Sequence, residues 1–281
     1  MPDTKAGRAD LLNDTPGRNY AAKLRRFNEF ARPELLAAIA SLRLQQGMHI
    51  LDAGCGTGEA VQWLQNAING VGVVAGLDLA TAHVEAAREV VRRDALIVQA
   101  DLSRPPFLPA VFDLVWCVNT IGHLRHPEDG LTALSSLLKR GGRVALGQSS
   151  FLPDMFFAWN SRLERVTDDA VREYYRKRYG IDERDLLKNR GLVALLQQAG
   201  LRDVTARTWV IERLAPLSQA DERYIFEAIF RDTWGARLKP YMSSDDFESL
   251  SRLCDPTHPD FALRRRDFHF LQTFTLVIGS L

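Results

Sequence analysis

Short apolar segments alternate with helix-forming segments along residues 49–150, and this alternation limits the fold more than any other feature of the chain. Five apolar stretches are short enough to be buried strands, at 49–54, 71–80, 95–101, 111–119 and 141–150. Helical patterns stand between them, at 59–68, 81–94 and 126–140. Strands that alternate with helices favour an α/β fold with a doubly wound, mostly parallel sheet.

The rest of the chain adds to this core. Residues 20–42 predict two helices that break near Pro33, and Thr81 is a candidate N-cap for the helix that starts there. A helix at 189–200 and strands at 201–214 and 268–281 bring the sheet to seven strands. The segments 151–190 and 216–254 are interpreted as helical insertions.

Three glycines alternate in the segment Asp52-Ala-Gly-Cys-Gly-Thr-Gly58, between the first strand and its helix. Glycine allows positive φ and a close approach of the backbone to a ligand, and the helix N-terminus offers unpaired amide donors. A dinucleotide fingerprint would need a third glycine at Glu59, and Asp52 would repel a pyrophosphate. A nicotinamide dehydrogenase is therefore disfavoured.

Aspartates end three successive strands: Asp52, Asp78 and Asp101. Open α/β sheets bind ligands at this edge, where Asp78 is placed to accept the hydroxyls of a ribose. Asp101 could accept a hydrogen bond from an adenine amino group. The alternative is that the glycines only build a tight connection, which would leave the matching positions of Asp78 and Asp101 a coincidence.

Four ordered motifs carry a resemblance to a known family. They are the glycine segment 52–58, "GLDL", "QADLSRPPF...VFDLV" and "LLKRGGRVAL". Over roughly residues 45–150 the chain resembles class I S-adenosylmethionine-dependent methyltransferases, with the ubiquinone/menaquinone and other small-molecule enzymes as the most similar group. The resemblance implies a seven-stranded sheet whose last strand is antiparallel, and S-adenosylmethionine as the cofactor.

The resemblance also implies a division of the chain and a set of cofactor-binding residues. Residues 1–45 would cover the cofactor site, the segments 46–150, 190–215 and 266–281 would form the cofactor-binding core, and 151–189 with 216–265 would form a helical substrate lid. The predicted cofactor-binding residues are Tyr20, Asp52, Gly54, Cys55, Gly56, Asp78, Leu79, Asp101, Leu102 and Asn119. For Tyr20 the alternative is plain helix packing, and Cys55 is expected to be a small filler of the turn rather than a nucleophile.

Aromatic side chains are concentrated in the two insertions, because residues 151–182 and 216–254 hold 13 of the 25 in the chain. Helix–sheet core packing would explain any one of them. Their number favours an apolar or aromatic acceptor pocket, which would also exclude water from the reaction. The predicted substrate-binding residues are Phe156, Trp159, Tyr175, Tyr179, Phe230 and Trp234.

An oxygen or nitrogen acceptor must lose a proton, so a base near neutrality would help. His123, just after the fourth strand, is the best placed of the six histidines, with His126 next. The alternative for His123 is a hydrogen bond that fixes its loop. O-methylation is the favoured reaction and C-methylation is close behind.

The net charge and the composition disfavour some classes of binding partner. The net charge is +1, and no basic stripe suggests nucleic acid or an anionic membrane. Three scattered cysteines indicate a reducing compartment, no metal site is expected, and no signal peptide or membrane span is apparent, so a cytoplasmic location is expected. A small-molecule acceptor is favoured; a homodimer, an RNA or protein acceptor, and a non-catalytic cofactor-binding protein stay open.

Overall fold

The structure is a computed structural model of the 281-residue chain. It describes residues 21–91, 95–124, 126–150, 154–155, 160–179 and 191–281. The predicted site residues Tyr20, Phe156 and Trp159 lie outside these ranges.

Nine α-helices lie within the described residues. They are α1 (Ala21–Phe30), α2 (Arg32–Ser41), α3 (Glu59–Ala67), α4 (Thr81–Val90), α5 (Pro127–Ser136), α6 (Ser161–Tyr179), α7 (Leu192–Gln198), α8 (Gln219–Tyr224) and α9 (Ser244–Cys254). A π-helix follows α8 at Ile225–Trp234, and 3₁₀ turns lie at Ile121–His123, Ala236–Tyr241 and Ala262–Arg264.

Eight strands are present in the same part of the chain. They are β1 (His49–Ala53), β2 (Val73–Asp78), β3 (Leu96–Gln99), β4 (Phe112–Val118), β5 (Leu138–Ser149), β6 (Asp154–Met155), β7 (Arg202–Leu214) and β8 (His269–Ser280). The seven predicted strands are all found, and β6 is an additional strand of two residues.

The strands pair in the order expected of a doubly wound sheet. The order is β3-β2-β1-β4-β5-β8, and β7 also pairs with β8. The pairs among β1 to β5 are parallel, whereas β8 runs antiparallel to β5. The predicted seven-stranded, mostly parallel sheet with an antiparallel last strand is confirmed. In the sheet, Asp52 is the register partner of both Gly76 and Trp116, so the end of β1 lies between two neighbouring strand ends.

The chain divides into two compact units. The first comprises residues 1–149, 188–209 and 274–281. Its core includes Leu51 and Leu77 from the sheet with Leu134 of α5 and Leu196 of α7, all nearly inaccessible to solvent. The sheet is thus covered by helices whose apolar residues recur at helical spacing.

The second unit comprises residues 150–187 and 210–273. Ser218 and Ser243 each cap a helix, since their hydroxyls accept from the backbone N–H groups of Asp221 and Asp246. Arg162 of α6 makes a two-pronged ion pair with Asp246, which joins α6 to the start of α9. In this unit β6 pairs antiparallel with the beginning of β8.

Candidate functional site

The glycine turn links β1 to α3 and is tied to the neighbouring strand. The N–H groups of Gly54 and Cys55 both donate to the carbonyl of Leu77, at 2.7 and 2.9 Å. Gly54 has φ of +85°, and a Cβ on it would lie 2.2 Å from the Thr120 side chain. Glycine is required here by both the backbone conformation and the contact with Thr120.

Asp78, the last residue of β2, is the best-connected carboxylate at this edge. Its Oδ2 accepts from the N–H of Gly56 at 2.9 Å, and its Oδ1 accepts from the N–H of Ala80 at 2.9 Å. The Nδ1 atom of His83 lies 3.2 Å from Oδ1. The side chain is 13% exposed, so a ligand can still reach it. The three contacts with the protein fix its orientation.

Asp52 is almost entirely buried, at 2% exposure, and its Oδ2 atom has no hydrogen-bond partner. Burial, and then the negative charges of Asp78 and Glu59, raise the pKa of Asp52 to about 8. A buried carboxyl group without a full set of partners is costly unless a ligand supplies a donor. The site is therefore prepared for a ligand that brings an N–H donor or a positive charge.

Asp101 and Asn119 follow β3 and β4. The Oδ1 atom of Asp101 accepts from both the N–H and the hydroxyl of Ser103, at 2.8 and 2.7 Å. Asn119 has φ of +52°, and its side chain accepts from the N–H of Ser149 at 2.7 Å. Asn119 therefore also joins the end of β4 to the end of β5.

One cavity of about 190 Å³ lies in the first unit at these strand ends. Among the predicted site residues, it is lined by Asp52, Gly54, Cys55, Gly56, Asp78, Leu79, Asp101, Leu102, Asn119 and His123. Three of these carry carboxyl groups, and no lysine or arginine is among the described residues that line the cavity. The lining favours a ligand with hydrogen-bond donors and positive charge.

Several lining residues were not predicted from the sequence. They are Leu24, Phe27, Asn28, Leu35, Ala60, Trp63, Leu77, Ala80, His83, Ala100, Trp116, Val118, Thr120 and Leu124. Most are apolar, and those from α1 and α2 reach the cavity only because these two helices pack against α4 and α3, respectively. Among the polar residues in this list, His83 has a position that the sequence could have indicated, because it follows Asp78 by five residues and lies near the start of the next helix.

Glu59 connects α1 to the glycine turn. Its Oε2 atom accepts from Asn28 Nδ2 at 2.9 Å and from the hydroxyl of Thr57 at 2.6 Å. The Nε atom of Arg25 lies 3.8 Å from its Oε1. The residue that breaks the dinucleotide pattern therefore anchors the helix that lines one wall of the cavity.

His123 lies in the 3₁₀ turn after β4 and lines the cavity. Its backbone N–H donates to the carbonyl of Thr120 at 2.9 Å. His126 is exposed and lies 3.8 Å from Glu128. A role for His123 as a base stays a prediction.

The predicted substrate-binding residues that the structure describes belong to the second unit. Phe230 and Trp234 of the π-helix stack at 5.3 Å and are almost fully buried, and Phe230 also meets the edge of Phe261. Tyr175 contacts the ring of Tyr174 at 5.4 Å. Tyr179 is the last residue of α6, and its side chain is not among those that the structure describes. Phe230 and Trp234 thus contribute to the core of this unit, and acceptor binding by the set stays a prediction.

The described residues contain neither a candidate metal site nor a candidate membrane span. No group of three or more histidine, cysteine, aspartate or glutamate side chains is arranged to hold a metal ion. In the same part of the chain, no helix has the length and apolarity needed to cross a membrane.

Comparisons with known proteins agree with this geometry. Residues 51–146 match the family described as "Methyltransferase domain". The chain is 32% identical to a malonyl-[acyl-carrier protein] O-methyltransferase from Enterobacter lignolyticus, over 48% of this chain and 53% of that protein. It is 35% identical to a demethylmenaquinone methyltransferase from Lactococcus lactis, over 37% of this chain and 43% of that protein.

A solved structure of similar fold is the phosphoethanolamine N-methyltransferase 2 of Haemonchus contortus. It aligns with a TM-score of 0.52 and 18% identity, over 95% of this chain and 59% of that one. The match in the curated relatives is partial, since the chain spans about half their length or less.

The sheet order, the glycine turn and the strand-end carboxylates together indicate one class of protein, and the match to the methyltransferase family indicates the same class. The chain carries a class I S-adenosylmethionine-dependent methyltransferase domain over residues 51–146. The resemblance drawn from the four sequence motifs is thereby confirmed.

Proposed function

We propose that the protein is an S-adenosylmethionine-dependent methyltransferase that acts on a small, largely apolar or aromatic acceptor. The observation that carries the proposal is the cavity lined by Asp52, Asp78 and Asp101 at three successive strand ends. S-adenosylmethionine bears a cationic sulfur and an ammonium group, and such charges suit a cavity lined by carboxyl groups. The Haemonchus contortus neighbour was solved in complex with this cofactor.

The residues that line the cavity fit the cofactor, because some of their polar atoms are available for hydrogen bonds with a ligand. The unpartnered Oδ2 of Asp52 offers an acceptor for a donor of the ligand. Asp78 would hold the ribose hydroxyls and Asp101 the adenine amino group, while Gly54 and Gly56 would allow close approach of the amino-acid end. Leu79 and Leu102 would flank the adenine ring.

When bound, the cofactor supplies a methyl group on a positively charged sulfur, and an acceptor atom that attacks the methyl carbon in line would displace the sulfur. The protein contributes orientation and exclusion of water, and these supply much of the rate of such a displacement. The apolar wall made by Leu24, Phe27 and Trp116 serves this purpose. His123, which lines the same cavity, would take the proton from an oxygen acceptor.

The acceptor class rests on two further observations. The absence of lysine and arginine from the described cavity lining disfavours a phosphate-bearing acceptor. The relatives include a malonyl-[acyl-carrier protein] O-methyltransferase, a second O-methyltransferase and a demethylmenaquinone methyltransferase. O-methylation is the leading choice and C-methylation of an activated ring is close behind. The aromatic residues of the second unit are the proposed source of acceptor contacts.

The experiment is turnover of methyl-labelled cofactor by the purified protein against a metabolite library, followed by mass spectrometry. We expect label in a small apolar or aromatic compound, together with an equal amount of S-adenosylhomocysteine. Label found only in added RNA or protein would contradict the acceptor class. Cofactor binding with no transfer to any acceptor tested would favour a non-catalytic binding protein.

The role of His123 is tested on the acceptor that this screen identifies. His123→Ala should lower turnover by about 10²-fold, the scale of a general base, while cofactor affinity is unchanged. His126→Ala is the matched control, because His126 is exposed and does not line the cavity. An unchanged rate in the His123 variant would remove it from the mechanism and leave orientation and desolvation as the sources of catalysis.

A further inference from the structure

His83 has a position that no step of the proposed mechanism uses. It lies in the first turn of α4, is 5% exposed, and lines the cavity beside Asp78. Its Nδ1 atom is 3.2 Å from Asp78 Oδ1. Its Nε2 atom is buried and has no hydrogen-bond partner.

Three donors from three segments hold the Asp78 carboxylate. The N–H of Gly56 comes from the glycine turn, the N–H of Ala80 from the connection after β2, and His83 from α4. The two backbone donors are fixed by the path of the chain. His83 is the side-chain donor of the three, so it is the one that a substitution can remove without changing that path.

The chemistry of the pair fixes the direction of the hydrogen bond. A carboxylate can only accept, so a hydrogen bond between the two groups requires the proton on Nδ1 of His83. Nε2 has no hydrogen-bond partner, so a proton on Nε2 instead of Nδ1 would form no hydrogen bond there. A carboxylate offers roughly four acceptor positions, and three donors leave room for a further donor from a ligand.

We infer that His83 is a positioning residue, which orients the Asp78 carboxylate so that it accepts a hydrogen bond from a ribose hydroxyl of the bound cofactor. The inference rests on the proposed function, because it assumes that Asp78 holds a ribose. A donor that fixes an acceptor before binding reduces the ordering that binding would otherwise require.

Two substitutions of matched shape separate the hydrogen bond from packing. In His83→Asn the amide nitrogen stands near the place of Nδ1 and can donate to Asp78. In His83→Leu the side chain has the same number of heavy atoms as asparagine and no donor. His126→Leu, at an exposed position outside the cavity lining, is the control for loss of a histidine elsewhere.

The readout is binding measured by calorimetry with two probes, S-adenosylhomocysteine and its 2′,3′-dideoxy analogue. The wild type should prefer the probe with hydroxyls. His83→Leu should reduce that preference by about tenfold, the scale of one hydrogen bond to a charged group, and His83→Asn should retain most of it. The His126→Leu control should match the wild type.

Other results overturn the inference. An equal loss of affinity for both probes in the leucine variant would mean that His83 acts only through packing, and an unchanged preference would mean that it does not act on Asp78. A wild type that binds both probes equally would show that Asp78 does not recognise the ribose. A wild type that binds neither probe would instead contradict the proposed function itself.

If the leucine variant does not fold, nitrogen NMR of the wild type decides. The inference requires the His83 proton on Nδ1, and stronger protection of that proton by S-adenosylhomocysteine than by the dideoxy analogue. A proton on Nε2, or equal protection by both probes, would overturn it.

Discussion

At the scale of single residues, the raised pKa of Asp52 makes the stability of the folded protein depend on pH. Its pKa is 3.8 in an exposed chain and about 8 in the folded protein, chiefly because it is buried. The folded state therefore binds a proton more tightly than the unfolded state between these values. The contribution of Asp52 to stability falls as the pH rises from about 4 to 8, and it levels off above that range.

Asp52→Asn should remove this dependence, because an amide does not ionise. We expect the free energy of unfolding of the wild type, relative to that of the variant, to decrease steadily from pH 5 to pH 8. Urea unfolding of the two ligand-free proteins at each pH measures the difference. A difference that is the same at every pH would show that the Asp52 carboxyl has an ordinary pKa.

Gly54 offers a second test at this scale, because it combines a positive φ with a close contact to Thr120. Alanine at Gly141, where φ is +78° and nothing lies within 4 Å of a Cβ, measures the conformational cost alone, about 1–2 kcal/mol. Gly54→Ala should cost at least about 1–3 kcal/mol more, the usual penalty for overpacking.

The same unfolding experiment includes a rescue. Thr120→Gly removes the side chain that the new methyl group would meet, so the double variant should recover part of the loss. Equal destabilisation at Gly54 and Gly141 would mean that the turn does not press against Thr120.

The sequence predicts some of these residues and not others, for physical reasons. Asp52, Asp78 and Asp101 are predictable because parallel strands end at a common edge, which brings the residue after each strand to one place. Thr120 and His83 are harder to predict, since their contacts depend on how one turn and one helix pack. The partnership of Asn28 with Glu59 joins residues 31 positions apart, and no local pattern indicates it.

At the scale of elements, α1 depends on Glu59 for its attachment to the glycine turn. Glu59→Ala removes the acceptor for Asn28 and the partner of Arg25, so α1 should open more often. We expect amide hydrogen exchange in residues 21–30 to accelerate about five- to thirtyfold, which corresponds to about 1–2 kcal/mol. Mass spectrometry of exchanged peptides measures the change.

Glu89 provides the control for this experiment. It lies 3.9 Å from Arg25 but is 78% exposed, so Glu89→Ala should leave exchange in α1 nearly unchanged. Equal acceleration in both variants would show that general charge around Arg25, rather than the Glu59 contacts, holds the helix.

The order of elements was predicted better than their bounds. The alternation of strands and helices fixed the sheet, but β5 begins at Leu138, within the segment predicted to be helical, because the chain continues into the strand directly after α5. Thr81 is wrong as an N-cap, since α4 begins at Thr81 itself and Ala80 stands at the cap position. Strand β6 and the π-helix at Ile225–Trp234 arise from pairing and packing that local sequence does not encode.

At the scale of the whole molecule, the near-neutral net charge conceals a local excess of acid at the cavity. A ligand that binds only the folded state stabilises it by mass action, by about 2.7 kcal/mol at a hundred times its dissociation constant. S-adenosylhomocysteine should therefore raise the melting temperature of the protein in a concentration-dependent way. A melting temperature that does not respond to it would contradict binding in the folded state.

Calorimetric titration of the purified protein with S-adenosylmethionine, S-adenosylhomocysteine and NAD decides which cofactor the cavity binds. The glycine turn without a third glycine, and the cavity with three carboxyl groups and no basic side chain in its described lining, predict binding of the first two ligands and none of NAD, whose pyrophosphate would be repelled. Tight binding of NAD with no binding of S-adenosylhomocysteine would contradict S-adenosylmethionine as the cofactor.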